Sequence, residues 1–97
     1  MNMQAMMMQA RKLQKEIEKT TNEIDNKEFK YENENILVVA LGNNEIKKIS
    51  IKNDQIIEDK ELLEDVIIVA INDIFKQINK EKEEKLGKYT NGLGGLF

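Results

Sequence analysis

Residues 62–97, LLEDVIIVAINDIFKQINKEKEEKLGKYTNGLGGLF, decide the architecture of this chain. An acidic start, an apolar middle, a lysine-rich end and a glycine-rich tail follow one another in that order. Leu63, Ile67, Ile71, Ile74 and Ile78 recur at helical spacing, and Val66, Ile68, Val69 and Ala70 fill in around them. Asp59, Glu61, Glu64 and Asp65 place negative charge in the opening turns, which suits a helix N-terminus. A buried strand over VIIVAI is the rival local reading, and the helical flanks LLED and NDIFKQ weigh against it.

A helix that is apolar on nearly every side is buried on nearly every side. A chain of 97 residues with one thin sheet can hardly supply that cover alone. The expectation is a homodimer, with Val66, Ile67, Ala70, Ile71 and Ile74 at the dimer interface. Beyond Ile78 the stripe positions fall on Lys82 and Lys85. The helix there either leaves the core or restarts as a short polar helix, and Gly87 can terminate it. Residues 1–87 are expected to form a single domain and residues 88–97 a flexible tail.

Upstream, Asn2 to Asp25 read as one long helix. Met3, Met6, Ala10, Leu13, Ile17, Thr20 and Ile24 alternate steps of three and four along a seam that pairs with another helix. The period then changes to two. Phe29 and Tyr31 alternate with Lys30 and Glu32, an Asn33-Glu34-Asn35 turn follows, and Ile36–Leu41 form an apolar strand. Gly42-Asn43-Asn44 make a second turn before a strand from Ile46 to Ile51. The fold class is α+β: a long N-terminal helix, a three-stranded antiparallel sheet and a long C-terminal helix possibly broken into two.

Composition narrows the chemistry. Without cysteine or histidine there is no disulfide, no thiolate nucleophile and no imidazole base or ligand. Ser50 is the only serine and lacks a triad partner. No enzymatic activity, cofactor or small-molecule substrate is expected. Six residues is the longest uninterrupted apolar run, Val66–Ile71 being one, against about 20 needed to span a bilayer. The opening MNMQAMMMQARK is a poor signal peptide, so the expected place is the cytoplasm, away from membranes.

The formal net charge of −3 argues against nucleic acid until its distribution is considered. Residues 1–27 carry five basic and four acidic side chains, residues 28–75 five and eleven, and residues 76–97 five and three. Positive charge therefore gathers at the ends. On a helical projection Arg11, Lys12, Lys15 and Lys19 fall within an arc of about 100°, away from the Met6–Leu13–Ile17–Ile24 seam. Such a stripe can lie against phosphates while the seam stays packed. The plainer alternative is a solvated face, flanked by Glu16 and Glu23.

Three other features invite sharper readings. Met3, Met6, Met7 and Met8 could suggest soft-metal ligation, but without Cys or His their helical spacing points to packing. The acidic run from Asp54 to Asp65 lacks the spaced oxygens and central glycine of a calcium loop. Gly92, Gly94 and Gly95 are followed by neither the lysine–serine pair nor the helix of a phosphate loop.

Four segments in order carry a family resemblance: MMMQARKLQKEIEK, ILVVALGNNEIKKISI, LLEDVIIVAINDI and EKLGKYTNGLGGLF. Together they resemble the opening helix, central hairpin, second long helix and glycine-rich ending of the YbaB/EbfC family of bacterial nucleoid-associated proteins. The chain departs from that pattern in ENEN at the first hairpin, Val38 where the middle strand often carries lysine, and Asn53 in place of a proline. The resemblance implies a tweezer-like homodimer that binds duplex DNA with protruding helical arms and acts in nucleoid organisation or gene regulation. The arm residues would be Arg11, Lys12, Lys15 and Lys19 with Lys80, Lys82, Lys85 and Lys88. The competing expectation is a small dimeric scaffold or holdase without DNA binding.

Overall fold

The structure is a computed structural model describing residues 2–92, the last three as backbone only. Helix α1 (Met3–Asp25) leads into strands β1 (Glu28–Glu32), β2 (Ile36–Leu41) and β3 (Ile46–Ile51). A short 3-10 turn (Asp54–Glu58) then precedes helix α2 (Lys60–Gly92). The strands form one antiparallel sheet in the order β1-β2-β3. The α+β plan expected from the periodicities is the plan observed.

Local chemistry sets the boundaries. Asn2 caps α1 by accepting the Gln4 N–H at 2.9 Å, satisfying one of the free donors of the first turn. Asn33 folds the first hairpin: its Oδ1 accepts the N–H groups of Asn35 and Ile36 at 2.8 and 3.0 Å. At the second hairpin Asn44 takes a left-handed backbone with φ of 71°, which asparagine tolerates better than most residues. The carboxylate of Asp59 accepts the Leu62 N–H at 3.1 Å and caps α2.

Gly42 is fixed by close approach. A Cβ on this residue would lie 1.8 Å from the Ile24 carbonyl oxygen, inside backbone. The contact seats the β2–β3 turn on the C-terminal end of α1, where the Gly42 N–H also donates to the Lys27 carbonyl at 3.0 Å.

Helix α2 lies across β1 and β2. Phe29, Ile36, Val38 and Ala40 from the sheet meet Ala70, Ile74 and Ile78 from α2, and Ile24 of α1 joins them. Ile36, Val38, Ala40, Ala70 and Ile78 have no exposed surface. Ala70 is buried, whereas Leu63, Ile67 and Ile71 are half-buried, so the inward face of α2 is turned from the stripe expected. The methyl of Ala70 lets the helix lie close to the sheet where a larger side chain would hold it away.

In the C-terminal region the structure decides between the two courses left open after Ile78. Helix α2 is unbroken over 33 residues, so neither a restart after Ile78 nor a stop at Gly87 occurs. Lysine, glutamate and leucine around Gly87 are strong helix formers, and one glycine costs a helix only about 1 kcal/mol relative to alanine. Of the ending expected to be flexible, residues 88–92 have helical backbone and residues 93–97 lie outside the described residues.

The molecule measures 69 × 22 × 15 Å. That length comes from the helices. Ile24 and Ile78 bring α1 and α2 together at the sheet, and from there the N-terminal part of α1 and the C-terminal part of α2 extend away.

Candidate nucleic-acid interface

The seam of α1 becomes less buried with distance from the sheet. Ile24 is buried, Leu13, Ile17 and Thr20 are half-buried, and Ala10, Met6 and Met3 are exposed. Packing, the expected role of the N-terminal methionines, is not met within one subunit: Met3, Met6, Met7 and Met8 are 51–75% exposed. The seam is covered by α2 only toward the sheet.

On the opposite side of α1 stand Arg11, Lys12, Lys15 and Lys19, all exposed. They line one open groove together with Met8 and Glu16. Among the described residues none of the four cations forms a salt bridge. From Arg11 to Lys19 the helix rises about 12 Å, so four positive charges follow one line at short intervals.

The lysines of α2 are arranged differently. Steps of 100° per residue spread Lys80, Lys82, Lys85 and Lys88 over about 200° of the helix surface, interleaved with Glu81 and Glu84. Lys85 lies 3.7 Å from Glu81, which also receives Lys27 at 2.6 Å. Lys82 is half-buried. Lys88 sits 5.0 Å from the centre of the Tyr89 ring. Lys80 faces a mixed-charge groove with Lys27, Lys30, Glu28, Glu81 and Glu84. The structure gathers the four α1 residues into one surface and leaves the four α2 residues scattered.

The predicted dimer-interface residues also divide. Ala70 and Ile74 are buried against their own subunit's sheet, with Val66 and Ile67 packed beside them and Ile71 half-buried. What α2 leaves exposed is Leu62, Ile68 and Val69, at 44–56%. Leu62 and Val69 line a shallow groove with Tyr31 and Asn33 of β1. Helical projection puts Ile68 on the other flank, toward β3. There Ile46 and Ile49, paired with Ala40 and Val38, share the sheet face beneath α2 yet remain 38% and 44% exposed. Sequence periodicity identified the helix as apolar all round, but not which residues its own sheet would cover.

Val38 faces the core and is fully buried. It therefore contributes nothing to the open face of the sheet, where Leu37, Val39 and Leu41 lie with Lys30 and Lys48 opposite Val39. No helix of the described residues is long and apolar enough to cross a membrane.

Comparison with known proteins now decides the lineage. The model of the YbaB/EbfC DNA-binding family matches residues 1–93. The chain belongs to the YbaB/EbfC family. Among its relatives in that family, a nucleoid-associated protein of Enterococcus faecalis is 44% identical over 98% of this chain and 94% of its own length. One from Lactococcus lactis is 45% identical, covering 96% and 97% respectively. A third, from Ligilactobacillus salivarius, is 35% identical over 99% and 95%. For this YbaB/EbfC chain the coverage is end to end, so the protruding helices belong to the family's shared extent.

Proposed function

We propose that the protein is a non-enzymatic, nucleoid-associated protein that binds duplex DNA as a homodimer, mainly through phosphate contacts made by α1. The observation that carries this is the free cationic line Arg11–Lys12–Lys15–Lys19 on the side of α1 turned away from α2. Duplex DNA presents one negative charge per about 1.7 Å of its axis, so a straight row of cations meets several phosphates at once. Family membership and the names of the relatives support DNA as the partner and the nucleoid as the place. Phosphate contact alone carries little sequence information, which fits a role in organising DNA or in broad regulation. Among the α2 lysines, Lys80 and Lys88 are the more available auxiliary contacts, Lys82 being half-buried and Lys85, though exposed, paired with Glu81.

The exposed flank of Ile46, Ile49 and Ile68 supports the dimer. A second copy laid there completes the cover of the sheet face that α2 leaves open, and two copies present two pairs of arms. Sedimentation equilibrium should show a dimer that Ile49→Glu with Ile68→Glu shifts toward monomer. A parent chain that sediments as a monomer would overturn this arrangement. For DNA, replacing Arg11, Lys12, Lys15 and Lys19 together by glutamate should lower affinity for a random-sequence duplex by more than about 100-fold, several phosphate contacts being lost at once. Helicity and oligomeric state should be unchanged. Undiminished binding by that variant would refute the α1 surface.

A further inference from the structure

Met8 has no part in the phosphate contacts, yet it lies within the cationic surface. Its azimuth on α1 falls between those of Arg11 and Lys12, one turn nearer the N-terminus, at about 60° within an arc running from 0° to about 100°. It is 69% exposed and, among the described residues, is the only apolar side chain lining the groove with Arg11, Lys12, Lys15 and Lys19. The neighbouring methionines point elsewhere: the projection sets Met3, Met6 and Met7 off that arc by about 40° or more. An exposed thioether at the N-terminal end of a row of cations that form no salt bridge among the described residues is poorly placed to dock another apolar protein surface, because the cations would lose their water without gaining partners. A polyanion that carries apolar edges between its charges suits both.

We propose that Met8 is the apolar contact of the DNA interface, entering the minor groove against sugar and base edges while the cations on either side hold the flanking phosphates. This inference rests on the proposed DNA-binding role of α1 and adds to it a contact that salt does not screen. The minor groove is about 6 Å wide, too narrow for a helix but wide enough for one apolar side chain. Methionine is among the side chains that minor-groove proteins place against base steps, and its flexible, polarisable chain adapts to an irregular groove floor.

The test is fluorescence anisotropy of the full chain on a labelled random-sequence duplex across a range of salt. It compares the parent with Met8→Gln, Met8→Leu, Met6→Gln and the Arg11/Lys12/Lys15/Lys19→Glu variant. Glutamine keeps length and helix propensity, and the exposure of Met8 leaves folding unaffected, which circular dichroism verifies. Met8→Gln should weaken binding about tenfold, by a similar factor at every salt concentration, leaving the slope of log affinity against log salt unchanged. Met8→Leu and Met6→Gln should stay within about twofold of the parent, well below that tenfold effect. If Met8→Gln binds like the parent while the charge-reversed variant does not bind, the Met8 contact is refuted and the phosphate-binding arm stands. If the parent itself does not bind, or the charge-reversed variant binds as well as the parent, both fall.

Discussion

The sheet with the first half of α2, and the outer half of α1, use the same kinds of residue to opposite ends. In the first region isoleucine and valine meet across three strands and a helix, and five side chains lose all contact with solvent. In the second, methionines at helical spacing stand 51–75% exposed beside a cationic line that forms no salt bridge among the described residues. On the proposed reading, the difference separates where stability and where binding are located. Apolar spacing produces a core only where a second element arrives to cover it. Where none arrives, the same spacing leaves an adaptable surface on a rigid rod.

That contrast can be broken by substitutions whose effects separate folding from binding. Ile74→Ala should have the largest effect on folding, lowering stability by about 2–5 kcal/mol, as the helix–sheet core would hold an unfilled cavity. Chemical denaturation measures the loss, while DNA affinity of the folded fraction should stay at the parent value. Should Ile74→Ala abolish binding without lowering stability, core and arm would not be separable.

Gly42→Ala tests the joint between the two regions. Its new Cβ falls inside the Ile24 carbonyl, so the turn or the end of α1 must move. A loss of about 1–3 kcal/mol is expected from this overpacking, read as a lower thermal midpoint. Unchanged stability would mean that the α1 junction is far softer than its geometry implies.

The smallest effect is electrostatic. Glu32 accepts a hydrogen bond from Lys52 at 2.9 Å. That bond, with the Lys52 charge, holds the Glu32 carboxyl below its ordinary value of 4.5. Because the folded value is the lower one, the pair contributes above the ordinary glutamate range, and its contribution is lost as pH falls through the lowered folded value. The group is exposed, so the effect on stability is slight. A carboxyl titration by NMR should show Glu32 shifted down in the parent and moved up toward the ordinary value in Lys52→Ala; identical titrations would remove this ion pair from the description.

Much of the fold was legible because its signals are local. A period of two over Phe29–Tyr31, a short apolar run over Ile36–Leu41, and Asn- and Gly-rich turns at the joins need no tertiary information. The cationic arc was legible for the same reason, since azimuth on a helix follows from spacing alone. What was not legible depended on which neighbour arrives. Nothing in VIIVAI says that Ala70 would face the sheet and Ile68 would not, because every candidate there is apolar. Gly87 reads as a stop and is overridden by its helix-forming neighbours. Lys80, Lys82, Lys85 and Lys88 read as one basic cluster. Their scatter becomes plain only when each is placed around α2 and the link of Glu81 to Lys27, a residue 54 positions away, is seen.

The most direct test of the division between a folding core and a binding arm is the salt dependence of duplex affinity. Fluorescence anisotropy of the parent chain on a random-sequence duplex gives the slope of log affinity against log salt, about −0.9 for each phosphate neutralised. Contact through Arg11, Lys12, Lys15 and Lys19 predicts a steep slope, on the order of −3 or beyond, as those four cations each meet a phosphate. A flat slope, or no binding at low salt, would contradict it and leave α1 an ordinary solvated helix.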